Sequence, residues 1–180
     1  MTSLRVQQQK QNPVNMANSV LIIAESGSGK STSGRNLNPE ETFWINVANK
    51  PLPFKGWKTM YPMVNKENPN GRMSAANTPA GILQAMEYVD KKRPEIKNLI
   101  IDDWQYMSAF EFFDRADEKG FDKFTDIGKW LAMVAKKPIT MRDDLTIFFM
   151  THAEESTDAK GKRRLKAKTI GENIACVLSN

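Results

Sequence analysis

The chain has 180 residues and a single cysteine, a length that suits one compact domain and a cysteine count that excludes an internal disulfide. Its 40% hydrophobic and 26% charged residues are ordinary for a globular protein, and no apolar run is long enough to span a membrane. The net charge of +5 favours an acidic partner, and the composition fits a reduced, cytoplasmic setting. We expect residues 1–17 to be a polar, disordered leader and residues 18–180 to form the domain.

The first motif, "AESGSGKST" at residues 24–32, matches the phosphate-binding loop pattern G-x-x-x-x-G-K-[ST] except at its first position. The apolar run Ser19–Ile23 before it predicts a buried strand, and the residues after it predict a helix from Lys30 to near Asn36. A turn between a strand and a helix can direct its backbone N–H groups at a phosphate. Strand, loop and helix in this order therefore predict a Walker A nucleotide site.

Ala24 stands where the loop pattern has its first glycine. We expect this alanine to be harmless, because position 24 only leaves the strand, whereas the inner Gly27 and Gly29 let the backbone approach a phosphate. Lys30 should then reach the β- and γ-phosphates of ATP, and the Ser31 hydroxyl should bind Mg²⁺. The predicted nucleotide-binding residues are Glu25, Ser26, Gly27, Ser28, Gly29, Lys30, Ser31 and Thr32.

Beyond the loop, strand and helix patterns alternate along the chain. The predicted strands are Thr42–Val47, Asn98–Asp103 and Leu145–His152. The predicted helices are Thr78–Lys92, Tyr106–Glu118 and Thr125–Lys136. Residues 48–77 read as a long irregular segment, and segments of this length are usually functional or mobile. The alternation predicts an α/β fold of three layers with a mainly parallel sheet.

Three of the predicted strands end in groups that can do chemistry. Because ligands bind at the carboxyl ends of strands in such sheets, the phosphate loop, the Asp102–Asp103 pair and His152 should meet at one edge. Asp102 fits the Walker B position, which holds Mg²⁺ through water. Asp103 is either the carboxylate that orients or deprotonates the attacking water, or the N-cap of the next helix. His152 is either a γ-phosphate sensor or an ordinary structural histidine.

Other residues compete for these roles. The rival carboxylates for water activation are Glu40, Glu41, Glu154 and Glu155. Aromatic residues are frequent between positions 104 and 130, and most of them must belong to the core. Trp104 and Tyr106 directly follow the carboxylate pair, so they either join that core or line the mouth of the site.

The last motif is the basic run "KGKRRLKAK" at residues 160–168, in which six of nine residues are Lys or Arg. The surrounding sequence predicts a β-hairpin that turns at Lys160–Gly161. Its charges either protect a solvated sheet edge, contact the backbone of single-stranded DNA, or offer a cation to the γ-phosphate in a neighbouring subunit. The candidate nucleic-acid contacts are Lys160, Lys162, Arg163, Arg164, Lys166 and Lys168.

Together with "FWINVANKPLPFKGW", "LIIDDWQYM", "FDKFTDIG", "MTHAEE" and "KAKTIG", the loop resembles the short ATP-binding proteins of tailed bacteriophages over residues 17–173. That family has a RecA-like P-loop NTPase core, and some relatives act in single-strand annealing and recombination. The resemblance implies that Lys30 and Ser31 hold phosphates and metal, Asp102 the metal, and His152 the sensor position. It also places the strand at 145–151 between the loop strand and the strand at 98–102. The family continues into further strands beyond the end of this chain, so the resemblance leaves the closing edge of the sheet and any oligomer contact open.

These patterns predict an ATP-binding protein that hydrolyses ATP with Mg²⁺ and couples hydrolysis to single-stranded DNA in phage recombination or replication. The expected catalytic residues are Lys30, Asp103 and His152, and the expected setting is the host cytoplasm, away from membranes, with homo-oligomers as one form. A nucleoside phosphate kinase or other small-molecule kinase is one alternative, with Arg163 and Arg164 available for a lid over the acceptor. A nucleotide-dependent scaffold without turnover is the other.

Overall fold

The computed structural model describes residues 16–157 and 163–168. Its strands are β1 Asn18–Ala24, β2 Thr42–Asn46, β3 Met73–Ser74, β4 Asn98–Asp102, β5 Thr146–Thr157 and β6 Arg163–Ala167. Its α-helices are α1 Lys30–Ser33, α2 Trp57–Met60, α3 Pro79–Lys92, α4 Tyr106–Asp114 and α5 Asp122–Lys136. Short 3-10 helices cover Gly34–Asn36, Pro39–Glu41 and Lys137–Thr140. The predicted α/β class is confirmed.

The sheet has the strand order β1-β5-β4-β2-β3, and all of these strands run parallel. The predicted position of the strand at 145–151 is confirmed, since β5 pairs with β1 on one side and with β4 on the other. β6 runs antiparallel to the outer part of β5, from the Ala153–Ala167 pair to the Thr157–Arg163 pair. The predicted turn at Lys160–Gly161 lies outside the described residues.

Two apolar clusters lie on opposite faces of the sheet, because neighbouring residues of a strand point to opposite sides. On one face Phe43 and Ile45 pack with Ile82 of α3 and Leu131 of α5, and all of these side chains are buried. On the other face Trp44 packs in a cluster that contains Tyr61, Ile100 and Met150. The central strands of the sheet are thereby covered on both faces.

β1 differs from the buried strand that its apolar sequence predicts. Within the described chain it pairs with β5 on one side only, and Val20 and Ile23 are 38% and 37% exposed. A continuous apolar run is typical of a strand covered on both faces, but that pattern does not show whether a second strand lies alongside. The predicted leader also ends earlier than expected, because Ala17 is buried and its N–H donates to the Pro138 carbonyl. Residues 1–15 of that leader lie outside the described part of the chain.

The long segment at 48–77 contains α2 and β3 and is fixed to the fold at several points. Arg93, which is 5% exposed, donates from its guanidinium to the carbonyls of Gly71 and Asn70. β3 lies near the end of this segment, pairs with β2 and is the outermost strand on that side of the sheet. Within residues 16–157 and 163–168, no helix is long and apolar enough to cross a membrane.

Candidate functional site

The phosphate loop follows β1 and leads directly into α1. Gly27 and Gly29 have φ values of +76° and +93°, a region that residues other than glycine rarely adopt. Ala24 is the last residue of β1 and pairs with His152, and the non-glycine residues with positive φ in the described chain are Asn49 and Asp103. The prediction that alanine fits position 24 is therefore confirmed for the backbone. The loop needs glycine at its two inner positions and not at its first.

Lys30 carries a buried cation inside the loop. Lys30 is only 8% exposed, and its Nζ donates to the carbonyls of Ala24 at 2.9 Å and Glu25 at 3.0 Å. An ammonium has three donors, so one remains for a further acceptor. Ser28 closes the turn by donating its hydroxyl to the Glu25 carbonyl at 2.7 Å. The loop thus holds its cation in place before any ligand arrives.

A cavity of about 280 Å³ joins the ends of the three strands that the sequence singled out. Its lining includes the loop and α1 residues Ser26, Gly27, Gly29, Lys30, Ser31 and Thr32. Asp102, Asp103 and His152 line the same cavity from β4 and β5. The expectation that these groups meet at one edge is confirmed. We call this space the phosphate cavity.

Asp102 is a buried carboxylate at the end of β4. It is 5% exposed, and burial raises its pKa to about 6, with a further increase from the charge of Asp103. A hydrogen bond with Ser31 and the charge of Lys30 favour the ionised form and limit this rise. Its Oδ1 has no hydrogen-bond partner. A buried oxygen of this kind is costly unless something binds it.

The donor set around Asp102 fits Mg²⁺. Mg²⁺ prefers hard oxygen ligands and usually takes one or two from the protein and the others from phosphates and water. The Ser31 hydroxyl is such a ligand, and a water bound to the cation would donate to the Asp102 Oδ1 and give it its missing partner. Within the described residues, no group of three or more His, Cys, Asp or Glu side chains could form an all-protein metal site.

Asp103 faces the phosphate cavity and does not cap the following helix. Its Oδ2 accepts from Lys50 Nζ at 3.0 Å, and its Oδ1 lies 3.1 Å from His152 Nε2. The N-cap residue of α4 is Gln105, and it makes no side-chain capping bond. The alternative that Asp103 is an N-cap is therefore wrong. Asp103 itself has φ of 56°, a left-handed conformation that Asp tolerates better than most residues.

His152 lies between the phosphate loop and Asp103. Burial lowers its pKa below the ordinary value of 6.5, and the nearby cations Lys30, Lys50 and Lys168 lower it further, while Asp103 opposes them. The imidazole is therefore neutral at pH 7, and its Nε2 lies 3.1 Å from the Asp103 Oδ1. The Tyr106 ring packs edge-on against it, with 6.2 Å between centroids.

Lys50 is a functional-site residue that the sequence reasoning missed. Its ammonium bridges the Asp103 carboxylate and the face of the Tyr106 ring, 4.5 Å from the ring centroid. Burial lowers its pKa, but the bond to Asp103 and that carboxylate's charge outweigh burial and raise it. Asn46 fixes the turn, accepting from Lys50 N–H at 3.2 Å and donating to the Lys50 carbonyl at 2.6 Å. The available signal was that this lysine lies four residues after β2, whose carboxyl end is at the same edge of the sheet as the ends of β1, β4 and β5.

The rival carboxylates lie away from the phosphate cavity. Glu40 and Glu41 precede β2, so they lie at the opposite edge of the sheet, where Glu40 pairs with Arg72. Glu154 and Glu155 are exposed on β5 beyond His152 and pair in register with β6. These four residues do not line the phosphate cavity. Of the candidate carboxylates for water activation, Asp103 is the one that lines this cavity.

The aromatic pair after the carboxylates divides between the two roles that the sequence left open. Trp104 is 1% exposed and packs edge-on against Phe149 at 5.4 Å, so it belongs to the core. Tyr106 is half-buried and lines a second cavity beside the phosphate cavity. The mouth of the site therefore contains Tyr106 and not Trp104.

The basic run is described only in part. Lys160 and Lys162 lie outside the described residues, and of Arg163 and Arg164 only the backbone pairing with β5 is described. Lys168 is exposed, and its N–H donates to the His152 carbonyl at 2.8 Å. β6 therefore runs from the basic segment directly to the site.

No protein-family model matches the chain, and no curated protein matches it. The phosphate cavity is lined by two cations, two carboxylates, three hydroxyls and a neutral imidazole.

Proposed function

We propose that this protein binds ATP with Mg²⁺ and hydrolyses it, on a RecA-like P-loop core. The observation that carries the proposal is the convergence of the loop, Asp102, Asp103 and His152 on the phosphate cavity. Phosphoryl transfer needs mainly positioning and charge stabilisation, and these are what a set of fixed cations and backbone donors provides. The parallel sheet with the loop strand beside β5 is compatible with such a core.

The binding step uses the loop, Ser31 and Asp102. Lys30 exchanges a carbonyl partner or uses its third donor for the β- and γ-phosphates, while the loop N–H groups surround the phosphate chain. Ser31 would bind Mg²⁺ and Asp102 would hold it through water, and the ion would supply positive charge to the phosphates of ATP. Binding also removes the cost of ionising Asp102 in a buried site.

The hydrolytic step depends on Asp103. Its two oxygens lie against Lys50 and His152, and because each carboxylate oxygen has two lone pairs, one on each remains for a water. A γ-phosphate gives His152 a competing acceptor for its Nε2 proton and gives Lys50 a competing anion. We propose that arrival of ATP draws these two groups away, and that Asp103 then acts as a general base on this water.

Coupling to single-stranded DNA is the finer part of the proposal. β6 brings Lys166 and Lys168 towards the site, and the Lys168 N–H binds the His152 carbonyl. Contacts to about three or four phosphates of a single strand should give a log–log salt slope of about −2 to −3. The resemblance to phage ATP-binding proteins gives the proposed setting, recombination or replication in the host cytoplasm, with self-assembly as one form.

A nucleoside phosphate kinase is the second candidate. The observation that favours it is a cavity of about 460 Å³ that shares Ser26 and His152 with the phosphate cavity. An acceptor in that space would lie beside the residue proposed to contact the γ-phosphate. Transfer of labelled γ-phosphate to a nucleoside monophosphate identifies the kinase, whereas release of inorganic phosphate identifies the hydrolase.

Lys30→Ala and Ala24→Gly form the matched test of ATP binding. Lys30→Ala should abolish detectable ATP binding and phosphate release, because it removes the buried cation on the phosphates. Ala24→Gly should change neither, since position 24 is ordinary strand. Equal ATP affinity in Lys30→Ala and the wild type would overturn the assignment of the loop.

Lys166→Ala together with Lys168→Ala tests the DNA contact. The double variant should flatten the salt slope of single-strand binding and weaken it equally for all base sequences. Wild-type binding that ignores salt would return the basic run to the role of a solvated edge.

A further inference from the structure

The second cavity, of about 460 Å³, is lined mostly by residues to which the proposed ATP hydrolysis gives no role. It lies between the start of the phosphate loop, the beginning of α4 and the junction of β5 with β6. Gln105, Tyr106, Ser108 and Ala109 form one wall, and Glu25 and Lys168 are among the residues that complete it. We call this space the base cavity, for reasons that follow from its chemistry.

Gln105 is the most informative residue of this wall. It is 9% exposed, and neither its Oε1 nor its Nε2 has a hydrogen-bond partner. Ser108 satisfies the Gln105 backbone carbonyl at 2.7 Å, so the start of α4 is closed without the amide. A buried amide without partners costs free energy. Both atoms are also closed to solvent, so the side chain must turn towards the cavity, where a ligand that presents one donor and one acceptor side by side would satisfy them.

The neighbouring groups narrow the class of that ligand. Tyr106 contributes an aromatic side chain to the lining, with Lys50 over one face of its ring, and aromatic side chains stack on nucleobases of any sequence. A nucleobase edge also carries adjacent donors and acceptors, the pattern that an amide side chain pairs with. Lys168 is an exposed cation of the same lining, where it can meet a phosphate attached to the base.

We propose that the base cavity binds one nucleobase, with its phosphate at Lys168. The proposal deepens the proposed function and rests on it, because the two cavities share Ser26 and His152. A base in this position contacts the residue proposed to sense the γ-phosphate, so its arrival links nucleic-acid or nucleotide binding to ATP turnover. The base can come from an unstacked single strand or from a free nucleoside monophosphate.

The test uses strands with and without bases. In the presence of Mg²⁺ and a non-hydrolysable ATP analogue, fluorescence anisotropy compares a single strand of about 12 nucleotides with an abasic sugar-phosphate strand of equal length. The wild type should bind the base-bearing strand about 5- to 150-fold tighter, the range expected for one stacked base. If free nucleotides are the source, the two strands bind alike and AMP or dTMP binds instead, measured by calorimetry.

Three variants locate the effect. Gln105→Leu removes the amide and Ala109→Leu fills the space, so both should reduce the preference for base-bearing strands, or the binding of the monophosphate, to near background. Gln105→Leu should unfold at the same temperature as the wild type or higher, because it removes an unpaired buried amide. Gln84→Leu makes the same substitution on the exposed surface of α3 and should leave binding unchanged.

Two results would overturn the base cavity. One is equal affinity for the two strands together with no binding of AMP or dTMP. The other is a base preference that survives both Gln105→Leu and Ala109→Leu. ATP-analogue binding, measured in the same samples, separates the two proposals: if it persists, the base cavity alone fails, and if it is absent, the proposed function fails as well.

Discussion

Asp102→Asn should make the nucleotide-free protein more stable near pH 7 and at the same time weaken its response to ATP with Mg²⁺. The carboxylate is 5% exposed and its Oδ1 lacks a partner, so its surroundings destabilise the ionised form. Asparagine has nearly the same shape and no charge. The same substitution removes the negative charge that the proposed metal site needs.

The magnitude follows from the pKa of Asp102. Burial raises it from 3.8 to about 6 in the folded protein, and each pKa unit corresponds to about 1.4 kcal/mol. A group whose folded pKa is raised contributes stability that is complete below the unfolded pKa and is lost as the pH rises through the folded pKa. Between about pH 4 and pH 7 the wild type should therefore lose about 2 kcal/mol, out of a total of about 3 kcal/mol, relative to Asp102→Asn, because the unfolded carboxyl is already half ionised near pH 4.

Urea unfolding between about pH 4 and pH 8 measures this difference directly. Asp143→Asn is the matched control, because Asp143 is an exposed carboxylate of the same type and its removal should not change the pH dependence. Thermal unfolding with and without Mg²⁺ and an ATP analogue gives the second readout, in which the wild type should gain more than the variant. If Asp102→Asn is less stable than the wild type at pH 7 with an unchanged pH profile, or gains equally from Mg²⁺ and nucleotide, the reasoning fails.

Two further predictions concern the residues beside Asp102. Asp103→Asn should keep ATP affinity and lower kcat by about 10²- to 10⁴-fold, because it removes the general base and leaves the phosphate contacts, and normal turnover would contradict this role. His152 is the only histidine in the chain, so one set of imidazole signals in proton NMR reports its titration. Its pKa should lie below 6.5, rise in Lys30→Ala and fall further in Asp103→Asn, and a value of 6.5 in all three proteins would refute the assigned surroundings.

The parts of the site that the sequence predicted depend on short-range rules. Gly27 and Gly29 stand where a loop between strand and helix needs positive φ, and the spacing to Lys30 is fixed by the motif. The meeting of β1, β4 and β5 follows from the parallel sheet, in which all carboxyl ends lie at one edge. The same rule would have excluded Glu40 and Glu41, since both precede their strand.

The parts that the sequence did not predict depend on contacts between distant residues. Lys50 and Asp103 are 53 positions apart, and their ion pair exists because the irregular segment that contains Lys50 follows β2, which pairs with β4. No periodic pattern marks such a segment, so its lysine looks like any solvated cation. The exposure of β1 is a similar case, because an apolar run shows that a strand packs on its faces but not how many strands flank it.

The backbone at Asp103 explains how two adjacent carboxylates can serve one cavity. Neighbouring residues of a strand point to opposite sides of the sheet, so a straight β4 would direct Asp103 away from Asp102. β4 ends at Asp102, and Asp103 takes φ of 56°, with its carboxylate against Lys50 and His152. A left-handed conformation costs about 1 kcal/mol or more for a residue with a side chain, and such strain persists where the surroundings enforce it. The strained residue here is also the one whose oxygens lie 3.0 Å from Lys50 Nζ and 3.1 Å from His152 Nε2 at the phosphate cavity, which is why we propose the water-activating role for Asp103 and not for an unstrained carboxylate elsewhere.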